Sequence, residues 1–246
     1  MIFFIKILVK KPNNHFLILY SLFSLILVTL NGCAVTNTVK QVDHLSTSHE
    51  KPKVLLFTPD IKYYLLTAGG VPQPHAEWTE EARKNFSSSF FELASNKGME
   101  IITIPDDRNL TEIEIQYKNL YTAVGSSILS HHVGQYKLPT KKTLFDWTLG
   151  PGVNVIGEQY GADYALFSYY RDYQASGGRA AFSILAALMG VGISTGGEVG
   201  YASLVDLRSG NIIWFNSVSS GTGELRIKDE AAETLNLLFK DLPSHL

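Results

Sequence analysis

Val199-Gly200-Tyr201-Ala202-Ser203-Leu204-Val205-Asp206-Leu207, then Arg208-Ser209-Gly210-Asn211, then Ile212-Ile213-Trp214-Phe215-Asn216-Ser217-Val218: two apolar, β-rich runs meet at a short polar turn. This pattern predicts an antiparallel hairpin. Gly and Asn supply the backbone conformations that a tight reversal needs, and the flanking runs supply side chains for a pleated, half-buried surface. Upstream, residues 164–173 read as a long aromatic strand. Alternation places Tyr164, Leu166, Ser168 and Tyr170 on one face, and Ala165, Phe167 and Tyr169 on the other. Downstream, residues 229–240 carry Ala231, Leu235 and Leu238 at helical spacing and stop before Pro243.

The first half of the chain alternates two periodicities. Lys53-Val54-Leu55-Leu56-Phe57 is a short apolar run stopped by Thr58-Pro59-Asp60, which predicts a buried strand. Residues 63–67 are a second short strand or a loop wall, and the Gly and Pro residues of 68–74 mark a loop. Trp78, Ala82, Phe86, Phe90 and Leu93 form one stripe of a helix over 77–96, ended by Gly98. Residues 99–104 then form a strand stopped at Pro105, and Ile113, Tyr117, Leu120, Val124 and Ile128 mark a helix over 111–130. A loop-like stretch over 135–152 and a short helix over 153–160 lead into the aromatic strand. The expected fold class is therefore α/β (α+β). A mixed sheet has a strand-helix-strand-helix first half, a C-terminal antiparallel hairpin with a terminal helix, and one apolar Gly/Ala-rich insertion.

That insertion is residues 180–193, an uncharged run opened by Ser176-Gly177-Gly178-Arg179 and closed by Ser194-Thr195-Gly196-Gly197. It is too short to cross a bilayer as a helix, which takes roughly 20 apolar residues. Two readings stand. One is an exposed element that touches membrane or a partner through Phe182, Ile184, Leu185, Leu188 and Met189, since large exposed apolar patches mark interaction sites. The other is a helix packed on the protein's own sheet.

The N-terminus places the protein in the cell. Lys6, Lys10 and Lys11 precede an uncharged, mostly apolar stretch over 16–30, followed by Leu30-Asn31-Gly32-Cys33. The order of basic, apolar and small residues is that of a secretory signal. Cys33 is the only cysteine of the chain. An aliphatic residue three before it and a glycine directly before it resemble the lipobox of bacterial lipoproteins. Asn31 departs from the smaller residue usual at its position. The resemblance implies cleavage between Gly32 and Cys33 and acylation of Cys33. Membrane lipid is then a partner through that residue, because acyl chains contribute about 0.8 kcal/mol per buried methylene. Ala34, standing where an Asp would retain the protein at the inner membrane in the enteric pattern, implies the periplasmic face of the outer membrane. The alternative is an uncleaved N-terminal anchor. The expected division is a lipoprotein signal peptide over 1–32, a lipidated cysteine and disordered polar tether over 33–52, and one periplasmic domain over 53–246.

Composition excludes several chemistries. A net charge of −2 provides no field toward nucleic acid, so no nucleic-acid partner is expected. One cysteine forms no intramolecular disulfide and no thiolate zinc site. His44 and His49 fall in the polar segment without other ligands beside them, and His131 and His132, adjacent at the end of a helix, point in different directions. No His-Glu-x-x-His, Gly-x-Gly-x-x-Gly or Gly-Lys-Ser/Thr motif is present. Acids such as Asp106, Asp107, Asp163 and Asp206 stand at strand and turn boundaries, where acids serve structure. No catalytic residue, metal ligand or cofactor is assigned.

Gly161-Ala162-Asp163-Tyr164 opening a strand, followed by the phrase from Ala202 to Trp214 and a terminal amphipathic helix, resembles the periplasmic α/β domain of small lipoproteins with the TolB N-terminal fold. The curli-secretion (CsgG-like) lipoprotein family shares that fold. The resemblance spans roughly residues 53–242, with the hairpin phrase its specific part, and residues 180–193 depart from it. It implies a non-enzymatic envelope lipoprotein acting as an assembly or interaction factor, with an envelope protein or a second copy of itself as partner. The alternatives are an oligomeric secretion or membrane-inserting component, for which the insertion lacks alternating amphipathic strands, and a periplasmic hydrolase.

Overall fold

A computed structural model describes residues 34–104, 109–141, 144–220 and 224–245. Gly32, Cys33, Asp106 and Asp107 lie outside the described residues, as does the signal segment. Ala34–Leu246 is one compact unit.

The hairpin forms the middle of an eight-stranded sheet. Strands β7 (Gly196–Asp206) and β8 (Ile212–Ser220) pair antiparallel. The Asp206 carboxylate accepts from the Arg208 N–H at 2.8 Å and also from that of Ser209. Gly210 takes the left-handed conformation at φ 78°, where a Cβ would meet the Gly150 carbonyl oxygen at 2.1 Å. A bulge follows the turn: Val205 pairs with Ile212 and Leu204 with Trp214, so Ile213 is the extra residue. It puts Ile213 and Trp214 into the same core. Trp214 is fully buried, and its indole N–H donates to the Lys240 carbonyl at 3.2 Å.

Strand β6 (Tyr164–Ala175) lies beside β7 and is the longest of the sheet. Its other edge is shared by two short parallel strands in succession. β2 (Lys53–Leu56) pairs with its first residues, and β3 (Asp60–Leu66) pairs with its last. The break at Phe57-Thr58-Pro59 lets one chain segment serve both. β5 (Glu100–Thr103) flanks β2 in parallel, and β4 (Pro72–Pro74) pairs with β3, a short strand within a stretch expected to be loop throughout.

Helices cover both faces. On one, α1 (Ala76–Asn96) packs Ala82, Phe86 and Phe90 with Tyr164, Leu166 and Trp214, joined by Leu235 and Leu238 of the terminal helix α5 (Lys228–Leu238). On the other, α2 (Glu112–Ile128) and α3 (Asn154–Tyr160) pack Tyr121, Ile128 and Ile156 with Ala165, Phe167, Val205 and Phe215. The fold is α/β with a mixed sheet between helical layers, and the alternation read along 164–170 matches the two cores. Thr111 and Glu114 close a capping box at the start of α2. Leu120 is exposed and Tyr121 is buried instead, because the core stripe of α2 runs through Tyr117, Tyr121, Val124 and Ile128.

The segment expected to be a disordered tether is ordered. Val35–Lys40 forms β1, an antiparallel edge strand on β8. Leu45 is buried, and the Ser46 carbonyl accepts from the Tyr164 hydroxyl at 2.7 Å. An edge strand is held by main-chain hydrogen bonds and half-buried alternate residues, so it needs little apolar content. Val-Thr-Asn-Thr-Val supplies the β-branched side chains that suit it.

Candidate functional site

The residues expected to form an interaction surface come together on one helix. α4 (Gly177–Leu188) rises between β6 and β7. Ser176 caps its start by accepting from the Arg179 N–H at 3.2 Å, and Gly190, at φ 79°, lies just past its end. Of its side chains only Ala186 is buried. Phe182, Ile184, Leu185, Leu188, Met189 and Val191 are all exposed, Leu188 at 81% and Met189 at 75%. From Ala180 to Gly197 there is no charged residue. The helix thus turns the small residues Ala180, Ser183 and Ala186 toward the protein and holds its large apolar side chains outside, as an apolar arm. Its polar atoms are turned inward: Ser183 Oγ donates to the Ala180 carbonyl at 2.8 Å, and Arg179 Nε to that of Ser194 at 2.8 Å. Among the described residues, no helix is long and apolar enough to cross a membrane.

At the root of the arm the strands carry buried acids. Asp172 on β6 and Glu198 on β7 are direct cross-strand partners, and both are buried. Asp172 Oδ1 accepts from Gln174 Nε2 at 2.8 Å, while Asp172 Oδ2 and Glu198 Oε2 have no hydrogen-bond partner among the described residues. Burial pushes the Asp172 carboxyl up to about 7, against the opposing effect of the Gln174 hydrogen bond. Burial, with the Glu224 charge added, pushes Glu198 up to about 7 as well. Glu224 behaves oppositely. Burial would raise it, but hydrogen bonds from Arg226 outweigh that and hold it below its usual range. Arg226 Nε donates to Glu224 Oε1 at 2.7 Å, and its guanidinium lies 4.0 Å from the Trp78 ring centre. The Tyr63 hydroxyl donates to Glu224 Oε1 at 3.1 Å and accepts from the buried Leu225 N–H at 2.8 Å. Sequence reading missed this cluster. The signal was present in the alternation that continues from Tyr170 to Asp172, which puts a carboxyl on a core face.

The opposite end of the sheet holds a polar cleft of about 780 Å³, lined among others by Thr47, His49, Lys53, Glu158, Asp163 and Arg208. Asp163 Oδ2 accepts from Thr47 Oγ1 at 2.9 Å and from the Lys53 N–H at 3.0 Å. Asp206 holds the hairpin turn. Both acids are thus engaged in shaping strand starts and turns. His49 Nε2 stands 3.9 Å from Asp163 Oδ1, whereas His44 bridges to Ser244. His131 Nδ1 lies 2.8 Å from the Tyr136 carbonyl, and the His132 ring meets Phe145 edge-on, so the adjacent histidines face different neighbours. Among the described residues no group of three His, Cys, Asp or Glu is placed to hold a metal ion.

No protein-family model matches the chain, and no curated protein matches it. Among solved structures, two of the PelC dodecamer from Paraburkholderia phytofirmans, one of them a point variant, are similar to it. Each aligns at 9% identity and TM-score 0.41, covering 87% of this chain and 100% of the other. At that score the likeness carries no argument about function.

Proposed function

We propose that this chain is a lipid-anchored envelope protein, held through Cys33 at the periplasmic face of the outer membrane, that works by contact and not by catalysis. The observation that supports this reading best is the α4 arm. It keeps Phe182, Ile184, Leu185, Leu188 and Met189 together in solvent, although the same chain buries residues such as Phe86, Phe90, Phe167, Trp214 and Phe215 beneath two helical layers. Exposed apolar surface on that scale is costly to solubility and is kept where something covers it. The lipobox-like Leu30-Asn31-Gly32-Cys33 supplies the anchor, and the resemblance of the hairpin phrase to TolB-type periplasmic domains is consistent with an assembly or interaction factor.

Two measurements test the reading. Intact mass of the membrane-extracted protein is expected to show loss of residues 1–32 and a gain of diacylglycerol and acyl groups on Cys33, both absent from Cys33→Ser. A full-length, unmodified mass overturns the anchor. A water-soluble maleimide is then applied to intact envelopes carrying Leu188→Cys or Arg208→Cys, the acylated Cys33 being unreactive. Leu188→Cys is expected to label far more slowly than Arg208→Cys, and equal rates overturn the contact role of the arm.

A further inference from the structure

The strand register puts the apolar arm and the chain's entry from Cys33 at the same end of the sheet. Val35 pairs with Ser219, Ser219 with Val199, Val199 with Arg171 and Arg171 with Lys62, so these residues form one row across β1, β8, β7, β6 and β3. β1 runs antiparallel to β8, β8 to β7 and β7 to β6, so moving backward along β1 and forward along β6 leads off the row in the same direction. Backward from Val35 lies Ala34 and, directly bonded to it, the lipid-bearing position. Forward from Arg171 lie Ala175 and the start of α4. β3 also leaves the row this way, ending at Leu66 in the turn whose Val71 is 62% exposed. Arg179, at the base of the arm, sits against Gly70 of that turn. The polar cleft around Asp163 and Arg208 lies at the other end of β6.

Resting on the lipoprotein reading above, we infer that α4 is a second membrane contact: the arm lies in the same lipid leaflet that holds the acyl chains of Cys33. The chemistry of the arm favours lipid over a protein groove. A groove covers one stripe of a helix, whereas Phe182, Ile184, Leu185, Leu188 and Met189 make one broad, uncharged exposed face, with the small residues Ala180, Ser183 and Ala186 turned to the protein. A helix too short to span can still lie about 5–10 Å deep at the boundary of headgroups and acyl chains. With one end of the sheet at the membrane by both anchors, the cleft end points away from it.

The test uses the full acylated protein in vesicles of phosphatidylethanolamine and phosphatidylglycerol. An environment-sensitive fluorophore is placed on Leu188→Cys or, as a control at the cleft end, on Arg208→Cys, with nitroxide quenchers on the upper acyl chains of the lipid. Leu188→Cys is expected to emit at shorter wavelength and to lose most of its emission to the lipid-borne quencher, and Arg208→Cys to do neither. A wavelength shift at Leu188→Cys without quenching means that protein covers the arm, and it overturns the inference. So does emission like that of Arg208→Cys. Met189→Cys, equally exposed, provides the same readout should Leu188→Cys disturb the helix. Intact mass of each sample keeps the two readings apart: an acylated protein with a water-exposed arm fails only this inference, whereas an unacylated one fails the anchor.

Discussion

Asp172 and Glu198 set the pH response of the fold. In the unfolded chain both carboxyls titrate near 4; in the folded one burial moves each to about 7. Between those limits the folded chain binds more protons than the unfolded one, so stability is greatest at the acid end and falls as pH rises through the window. Each unit of displacement corresponds to about 1.4 kcal/mol. Glu224, held low by Arg226, acts with the opposite sign, but only below its ordinary range. Asp172→Asn combined with Glu198→Gln should therefore raise the urea midpoint at pH 8 and leave it nearly unchanged at pH 4. A parallel shift at both pH values would mean that the carboxyls do not titrate in this window. The two are cross-strand neighbours displaced over the same pH window, so the double variant, not either single one, gives the larger and cleaner comparison.

At the scale of elements, Asn216 ties three of them together. From the buried face of β8 its side-chain NH2 donates to the Leu237 and Leu238 carbonyls at 2.7 and 2.9 Å, closing the end of α5, and its Oδ1 accepts from Thr38 of β1 at 3.0 Å. Asn216→Ala leaves those helix-end carbonyls buried without a donor, an omission that costs roughly 1–3 kcal/mol. Urea unfolding should show that loss, and hydrogen exchange should show faster exchange across 35–40 and at the end of α5. Unchanged protection of 35–40 would mean that β1 is held by its main-chain ladder alone. The same residues explain a misreading. Polar composition made 34–52 look like a tether, but composition reports the ability to build a core, and β1 borrows a core already built by β8.

At the scale of the molecule, the arm is an addition to the fold and not a part of its support. Gln174 and Gly196 are already paired at the base of α4, so a short turn can join β6 to β7 directly. Replacing residues 177–193 with such a turn removes only Ala186 from the buried set of the helix. The thermal midpoint should move by no more than about 4 °C, the shift that corresponds to roughly 1 kcal/mol in a domain of this size. A large loss of stability would mean that the arm holds β6 and β7 in register. The molecule is also polar along the strand direction. One end carries apolar residues and the start of β1, and the other the cleft around Lys53, Asp163 and Arg208.

The sequence by itself determined the local elements. The hairpin about Gly210, the stripes of α1 and α5 and the alternation along β6 are all short-range patterns, because the periods of helix and strand leave their mark within a few residues. It also marked residues 180–193 as anomalous without deciding between a packed helix and an exposed one, since both demand the same apolar run. Only the tertiary structure decided that. It depends on whether another element lies across the large apolar side chains of the helix, and in α4 only Ala186 is fully buried, with Ala180 and Ser183 half-buried. Likewise, Asp172 and Glu198 stand far apart in the chain and meet only because β6 and β7 pair in one register. The antiparallel order of β1, β8, β7 and β6 likewise brings the start of β1 and the base of α4 to the same end, a matter of strand direction that no local pattern records.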